Sequence, residues 1–291
     1  MYFNKFNNFF HGIMFHHFHD NKDHLKGQGS ISKDEFVKII KFIGKKNILS
    51  ANDFLNRLKE GKLKKTNVCL TFDDSLKCQF DVAAPIMEDF NLKGFFFVYT
   101  NIYEGNNPCL LEVYRFFRMN YFINVNLFYK EFYEYLKNVF PKVNLNKYLE
   151  DNKKSIISEK KKYKVHTYED IEFRFLRTHL LSKDEYKKIM LLMFKDYKFK
   201  YKKELKKLFL KKKDLLNLKN NSHMIGLHSH SHPSKIESLS KKFQENEYKK
   251  NKNSLSKILG TRDIFSMSHP HGSYNSNILS TLKELNIKIG F

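Results

Sequence analysis

Six short apolar or β-branched runs are spaced along the chain, and most of the segments between them carry helical periodicity. The runs are GIMFHHF (12–18), NVCLTF (67–72), KGFFFVYT (93–100), HMIGLHSH (223–230), DIFSMSH (263–269) and NIKIGF (286–291). Most are continuous rather than alternating, the pattern of strands buried on both faces of a parallel sheet. Between them, SKDEFVKIIKFIGKK, SANDFLNRLKEGK, CQFDVAAPIMEDFN, IESLSKKFQENEYKKNKNSLSKILG and SNILSTLKELN repeat apolar residues at helical spacing. Strand followed by helix, repeated, restricts the chain to a βα architecture. Two helix starts are marked chemically: Ser32 with Glu35 makes a capping box, and Ser50 precedes the next amphipathic segment.

From about Glu104 to Asn221 the alternation stops. Long aromatic and Lys-rich helical patterns such as LLEVYRFFRMNYFINVNLFYKEFYEYLKNVF fill this stretch. They predict a helical insertion, residues 104–221, within a single domain spanning 1–291, and their aromatic residues at helical spacing are expected in its core. A chain of 291 residues suits one elaborated barrel-sized domain.

The formal net charge of +22 invites a nucleic-acid or anionic-membrane reading. The excess, however, is Lys rather than Arg. It comes with abundant Asn, Ile, Phe and Tyr, no Trp and few Gly or Pro, as codons of an AT-rich genome would give. No specific nucleic-acid partner is therefore expected. Cys69, Cys78 and Cys109 lack the spacing of a zinc ribbon or a disulfide framework, so reduced thiols are expected. The N-terminal MYFNKFNNFFHGIMFHHFHD is broken by Asn, Lys and His and lacks a small-residue cleavage site. No apolar run approaches the roughly 20 residues that span a bilayer. The expectation is a cytoplasmic protein without a transmembrane segment; the oligomeric state has no signature in the sequence.

The second run ends in TFDD, residues 71–74, which places Asp73 and Asp74 side by side at a strand end. One carboxylate there could cap the following helix. Two are tolerable if a cation lies beside them or if one acts as a base. The matching groups stand in GLHSHSHPS, residues 226–234, where His228 and His232 are four residues apart. That spacing brings two imidazoles to one side of a turn or a first helical winding, and Pro233 with Ser234 suits the start of a helix. Both motifs follow strands, the edge that carries active sites in βα barrels. Taken alone, a His-rich hexapeptide is as often a solvated tract; the pairing with TFDD is what points to a metal site.

TFDD followed by HSHSHP, which fits H-S/T-x-x-H-P, resembles the first two motifs of polysaccharide deacetylases with a NodB-homology domain. SMSHPHGSYN, residues 266–275, is similar to the family's strand ending in a Pro-x-Gly turn followed by Tyr and Asn, and GIMFHHFHD stands where many members carry a first strand ending in a Tyr-His pair. The resemblance covers most of the chain outside the insertion. It implies an α/β fold, a distorted (β/α) barrel of the polysaccharide deacetylase type with a large helical insertion. It implies a divalent metal ion held by Asp74, His228 and His232, zinc first, with cobalt, nickel or manganese as alternatives. Asp73 matches the family's catalytic base. The implied activity is metal-dependent hydrolysis of N-acetyl or O-acetyl groups on a surface polysaccharide or its sugar precursor, so the expected partner is an acetylated carbohydrate.

This sequence departs from the family at two points. SMSHPHG has no Arg where many members carry one that pairs with the base, and NIKIGF ends before the Leu-x-x-His segment whose His serves as general acid. The proton for the leaving amine would then come from another imidazole, His17 or His271, each with an ordinary pKa near 6.5. In an extended strand His16 and His17 face opposite ways, and family position favours His17. His230 is expected to turn away from the site, His269 and His271 to line it, and Gly272 to serve a turn needing φ > 0. Rival readings are a degenerate barrel that binds carbohydrate without turnover, an amidohydrolase-type metal hydrolase, and a basic nucleic-acid-binding protein.

Overall fold

The computed structural model describes residues 11–20, 22–104, 110–163 and 166–291. The N-terminal ten residues and Cys109 lie outside them. The chain divides into two compact units, the first formed by residues 1–110 and 205–291 and the second by residues 111–204.

Among the described residues the first unit is built on eight strands: β1 (His11–Phe15), β2 (Phe18–His19), β3 (Ile31–Ser32), β4 (Val68–Phe72), β5 (Phe95–Val98), β6 (Met224–Leu227), β7 (Ser266–Met267) and β8 (Ile289–Gly290). Six of them form one sheet in the order β1-β4-β5-β6-β7-β8. Every pairing in it is parallel. This is the expected distorted barrel in the form of a half-barrel, with β1 and β8 at its edges. All six apolar runs supply a strand, shorter than the run in each case. The ladder pair β2-β3 was not foreseen, because two-residue strands carry no periodicity.

The helices are α1 (Lys33–Ile43), α2 (Ala51–Lys59), α3 (Ala84–Asp89), α4 (Leu110–Tyr121), α5 (Val125–Val139), α6 (Leu145–Asp151) and α7 (Lys153–Lys162). They continue with α8 (Tyr168–Phe175), α9 (Lys183–Asp196), α10 (Tyr201–Leu208), α11 (Lys212–Asn220), α12 (Lys241–Leu259) and α13 (Ser276–Glu284). Both expected caps are present. Ser32 and Glu35 form the reciprocal capping box of α1, and the Ser50 side chain accepts from the Asp53 amide at the start of α2.

Strand register decides what each face of the sheet carries. Leu70, Phe72, Phe96, Val98, Ile225, Leu227 and Met267 pack under α1, α3, α11, α12 and α13. Phe72 and Phe96 stack there at 4.6 Å between centroids. The opposite face carries Cys69, Phe95 and Phe97, closed by Phe54 and Leu55 of α2 and by Phe291. Phe291 lies 5.2 Å from Phe95 and 5.5 Å from Phe97, centroid to centroid. Burying each such side chain contributes about 1.5–3 kcal/mol, so aromatic burial on both faces holds the sheet. Gly226 is required on this second face, since a Cβ there would stand 2.5 Å from Ser266 Oγ and 2.6 Å from the Phe97 ring.

The second unit is helical, and its core is aromatic as the helical spacing implied: Phe117, Phe128, Phe132 and Phe173 are fully buried. Asp170 is buried among them, accepting from Tyr129 Oη at 2.7 Å and pairing with Arg174 Nε and His166 Nδ1, each at 2.8 Å. No described helix is long and apolar enough to cross a membrane.

Candidate metal centre

The parallel register that pairs Gly12 with Cys69 and Met14 with Thr71 sets alternate residues of β1 and β4 on one face. Continued past the strand ends, it puts His16 and Asp73 on that face. Phe97 pairs with Gly226, which brings His228 to the same face, and Leu227 pairs with Met267, which brings Ser268 there. Four polar side chains from four strand ends thus meet at one edge of the half-barrel. Polar groups gather there because the apolar plug of Phe54, Phe97 and Phe291 fills the sheet further down.

Asp74, His228 and His232 converge. Asp74 Oδ1 lies 3.3 Å from His228 Nε2 and 3.0 Å from His232 Nε2, and the two Nε2 atoms are 3.2 Å apart. All three residues are in the group whose ligand atoms could hold a metal ion. His228 and His232 meet through a bent loop rather than the helical winding allowed by their spacing. Ser229 (φ 59°) and His232 (φ 56°) are left-handed, and helix α12 starts only at Lys241. Asp74 (φ 73°), Ser75 (φ 59°) and His271 (φ 55°) are left-handed too. Such conformations cost of order 1–3 kcal/mol each in a non-glycine residue and persist only where surrounding bonds hold them.

Those bonds are on hand. The Ser229 hydroxyl accepts from the His232 amide at 3.1 Å, and the Ser75 hydroxyl accepts from the Tyr99 amide at 3.2 Å. Helix α12 reaches into the loop with two buried polar side chains. Asn251 Oδ1 accepts from the His228 amide at 2.9 Å while its Nδ2 donates to the Val98 carbonyl at 2.9 Å. Glu247 accepts from the amides of His230 and Ser231 at 3.0 and 2.7 Å. Gln79 Nε2 donates to the carbonyls of both His16 and Asp73, tying two strand ends together.

Asp73 is buried, 2% exposed. Its Oδ2 accepts from Ser268 Oγ at 2.8 Å, while its Oδ1 is buried without a hydrogen-bond partner among the described residues. The two neighbouring acids are therefore in different situations, one against two imidazoles and one against a hydroxyl.

The donor set passes a chemical test for a divalent cation. His228 Nδ1 lies 2.9 Å from the Ser268 carbonyl, which can only accept, so Nδ1 carries a proton there and Nε2 is the ring atom that would be offered to a bound cation. Ligand atoms about 2.0–2.1 Å from a tetrahedral zinc stand about 3.3–3.4 Å from one another. The separations here, 3.0, 3.2 and 3.3 Å, are close to that edge. Burial opposes the charge on Asp74, yet hydrogen bonds from His228 and His232 hold its carboxyl well below the usual range. Burial likewise works against protonation of His228, but Asp74, the charge of Asp73 and the Ser268 carbonyl outweigh it and raise its pKa.

The remaining histidines sort by contact. His16 Nε2 lies 3.5 Å from Asp74 Oδ2, with its side chain 34% exposed. It is His16 that faces Asp74, where family position had favoured His17, whose ring centroid lies 6.1 Å from that of His16. His271 packs edge-on to His232 at 4.8 Å. Burial, then the charge of His232, pushes its pKa down to about 4, not the ordinary 6.5 expected from the sequence. His269 stacks on Tyr274 at 4.5 Å and is likewise pushed down by burial to about 4. His230 is turned from the cluster, its Nδ1 3.0 Å from Thr100 Oγ1. Gly272 has φ +66°, as its turn requires.

Sequence reasoning passed over Ser268, Asn251, Glu247 and Gln79. For α12 a signal existed: Gln244, Glu247 and Asn251 interrupt the buried stripe of Tyr248, Leu255 and Leu259, and polar residues on an inner helix face need partners.

A parallel half-barrel of this strand order is the deacetylase type of (β/α) fold. Residues 178–290 match the sequence model of the family described as polysaccharide deacetylase, so the resemblance read from residues 226–234 and 266–275 holds over that segment. The deacetylase PplD of Streptococcus pyogenes, solved in complex with acetate, shares the fold at a TM-score of 0.52 and 18% identity, over 97% of this chain and 82% of that one. A de-N-acetylase from Aggregatibacter actinomycetemcomitans aligns with a TM-score of 0.51 and 11% identity over 97% and 87% of the two chains. IcaB from Ammonifex degensii does so at 0.51 and 9% identity over 96% and 84%. No curated protein sequence matches the chain.

Proposed function

We propose that the protein is a metal-dependent hydrolase that removes acetyl groups from a carbohydrate, with an N-acetylated glycan as substrate. The observation that carries this reading is the convergence of Asp74 Oδ1, His228 Nε2 and His232 Nε2 on one point, with Asp73 alongside. The family match and the shared fold support the same class of reaction.

Asp74, His228 and His232 would hold the divalent cation, zinc first by donor chemistry. Once bound it would polarise the acetyl carbonyl and acidify water at the open positions. Asp73 accepts the proton of the attacking water through Oδ1, the oxygen that no described residue occupies. The departing nitrogen needs a proton in turn. The imidazoles at the rim are His271 beside His232 and the His16–His17 pair beside Asp74; the donor is drawn from these. An ordered loop clamped by Asn251 and Glu247 keeps the ligands in place before substrate arrives, which lowers the reorganisation needed for reaction.

The test is release of acetate from N-acetylhexosamine oligomers by the zinc-loaded protein, compared with the chelated protein. Acetate release that vanishes on chelation and returns with zinc is the expected result. Zinc-loaded protein that retains the oligomers but releases no acetate would instead support the binding-only reading.

A further inference from the structure

We propose that Ser268 is a positioning residue that sets the orientation of the Asp73 carboxylate relative to the three-residue cluster. The inference rests on the reading of Asp73 as proton acceptor, and it is carried by three bonds made by one buried residue. The Ser268 amide donates to the Leu227 carbonyl at 2.9 Å. Its carbonyl accepts from His228 Nδ1 at 2.9 Å, and its hydroxyl donates to Asp73 Oδ2 at 2.8 Å.

The torsion that turns an Asp carboxylate joins an sp³ to an sp² carbon and has a broad, shallow profile, so packing alone does not select its angle. A directional hydrogen bond to one oxygen does. With Oδ2 held by Ser268, Oδ1 is the oxygen left to take a proton, and it is the one buried without a partner among the described residues. A serine has a single hydroxyl hydrogen, and here it is committed to Asp73. Because the same residue braces His228 through its backbone, acceptor and ligand share one anchor at the end of β7. SMSHPHG has no Arg for this task. Ser268 does it with a neutral donor, which orients the carboxylate without adding a positive charge beside the cation site.

The experiment compares native protein, Ser268→Ala and Ser268→Thr in the zinc-loaded state, using crystal structures, zinc titration and steady-state acetate release from N-acetylhexosamine oligomers. In Ser268→Ala the Asp73 carboxylate is expected to rotate from its native angle. Zinc affinity should stay unchanged, because the brace on His228 is a backbone carbonyl, while kcat falls about 10- to 100-fold at constant KM. Ser268→Thr, which keeps the hydroxyl, is expected to restore orientation and rate. An Asp73 carboxylate that keeps its native angle in Ser268→Ala overturns the proposal whatever the turnover. So does a loss of zinc affinity that parallels the loss of rate. If native protein releases no acetate, the functional reading fails, and the carboxylate angle in Ser268→Ala still decides the positioning role.

Discussion

His228 Nε2 and His232 Nε2 lie 3.2 Å apart, and both face Asp74 Oδ1. His228 Nδ1 donates to the Ser268 carbonyl, so its Nε2 has no proton of its own to give unless the ring is charged. Two imidazoles and a carboxylate so arranged could hold a divalent cation. Purified protein is expected to bind about one equivalent of zinc, and His228→Ala and His232→Ala are expected to lose it. Elemental analysis after dialysis checks this; full occupancy in both variants rules out the cluster as the site.

The neighbouring acids should fail differently. Asp73→Asn keeps the three ligand atoms and is expected to retain zinc while kcat drops by about 10²- to 10⁴-fold, the usual contribution of a general base. Asp74→Asn is expected to lose metal and activity together. Parallel zinc titration and acetate-release assays separate the two, and normal turnover by Asp73→Asn would refute the division of labour.

The proton for the leaving nitrogen is assigned by substitution. His271 packs on His232, and His16 reaches Asp74, with His17 beyond it. With its pKa pushed down to about 4, His271 holds a proton to give only in acid, so the loss of kcat in His271→Ala is expected to be small near neutrality and to grow as the pH falls. Of His16→Ala and His17→Ala, the one serving the proton path shows the larger loss. If all three variants keep the native rate across pH, the donor lies elsewhere.

Acid stability has a separate source at the opposite end of β6. His223 is buried, its Nδ1 accepts from the Gly94 amide at 3.1 Å, and burial pushes its pKa down to about 4. The unfolded imidazole protonates near 6.5. Between these values the unfolded state binds more protons, so this stabilisation is complete above about pH 6.5 and is lost as the pH falls toward 4, by up to about 3 kcal/mol. Urea unfolding at about pH 7 and about pH 5 should show a smaller acid loss in His223→Asn than in native protein. Equal losses would exclude His223 as the cause.

Much of the fold was written in local pattern. Continuous apolar runs such as KGFFFVYT and HMIGLHSH marked buried parallel strands, and Ser32 with Glu35 marked a helix start, because strand burial and capping are fixed by residues a few positions apart. The adjacency of Asp73 and Asp74 and the spacing of His228 and His232 were likewise local, and family resemblance assigned them to one site. The two-residue β2-β3 ladder escaped, since pairing that short leaves no period.

What only tertiary structure decided is which side chains share a face and what braces them. Alternation along an extended strand would turn His16 and His17 apart, but β1 ends at Phe15, the two rings lie 6.1 Å apart, and His16 Nε2 comes to 3.5 Å from Asp74 Oδ2. Ser268 is an ordinary serine in sequence; it becomes the partner of Asp73 because β7 lies beside β6 in a parallel sheet. Sequence determines these residues' chemistry, whereas their contacts depend on strand order and register, set by aromatic packing on both sheet faces across segments far apart in the chain.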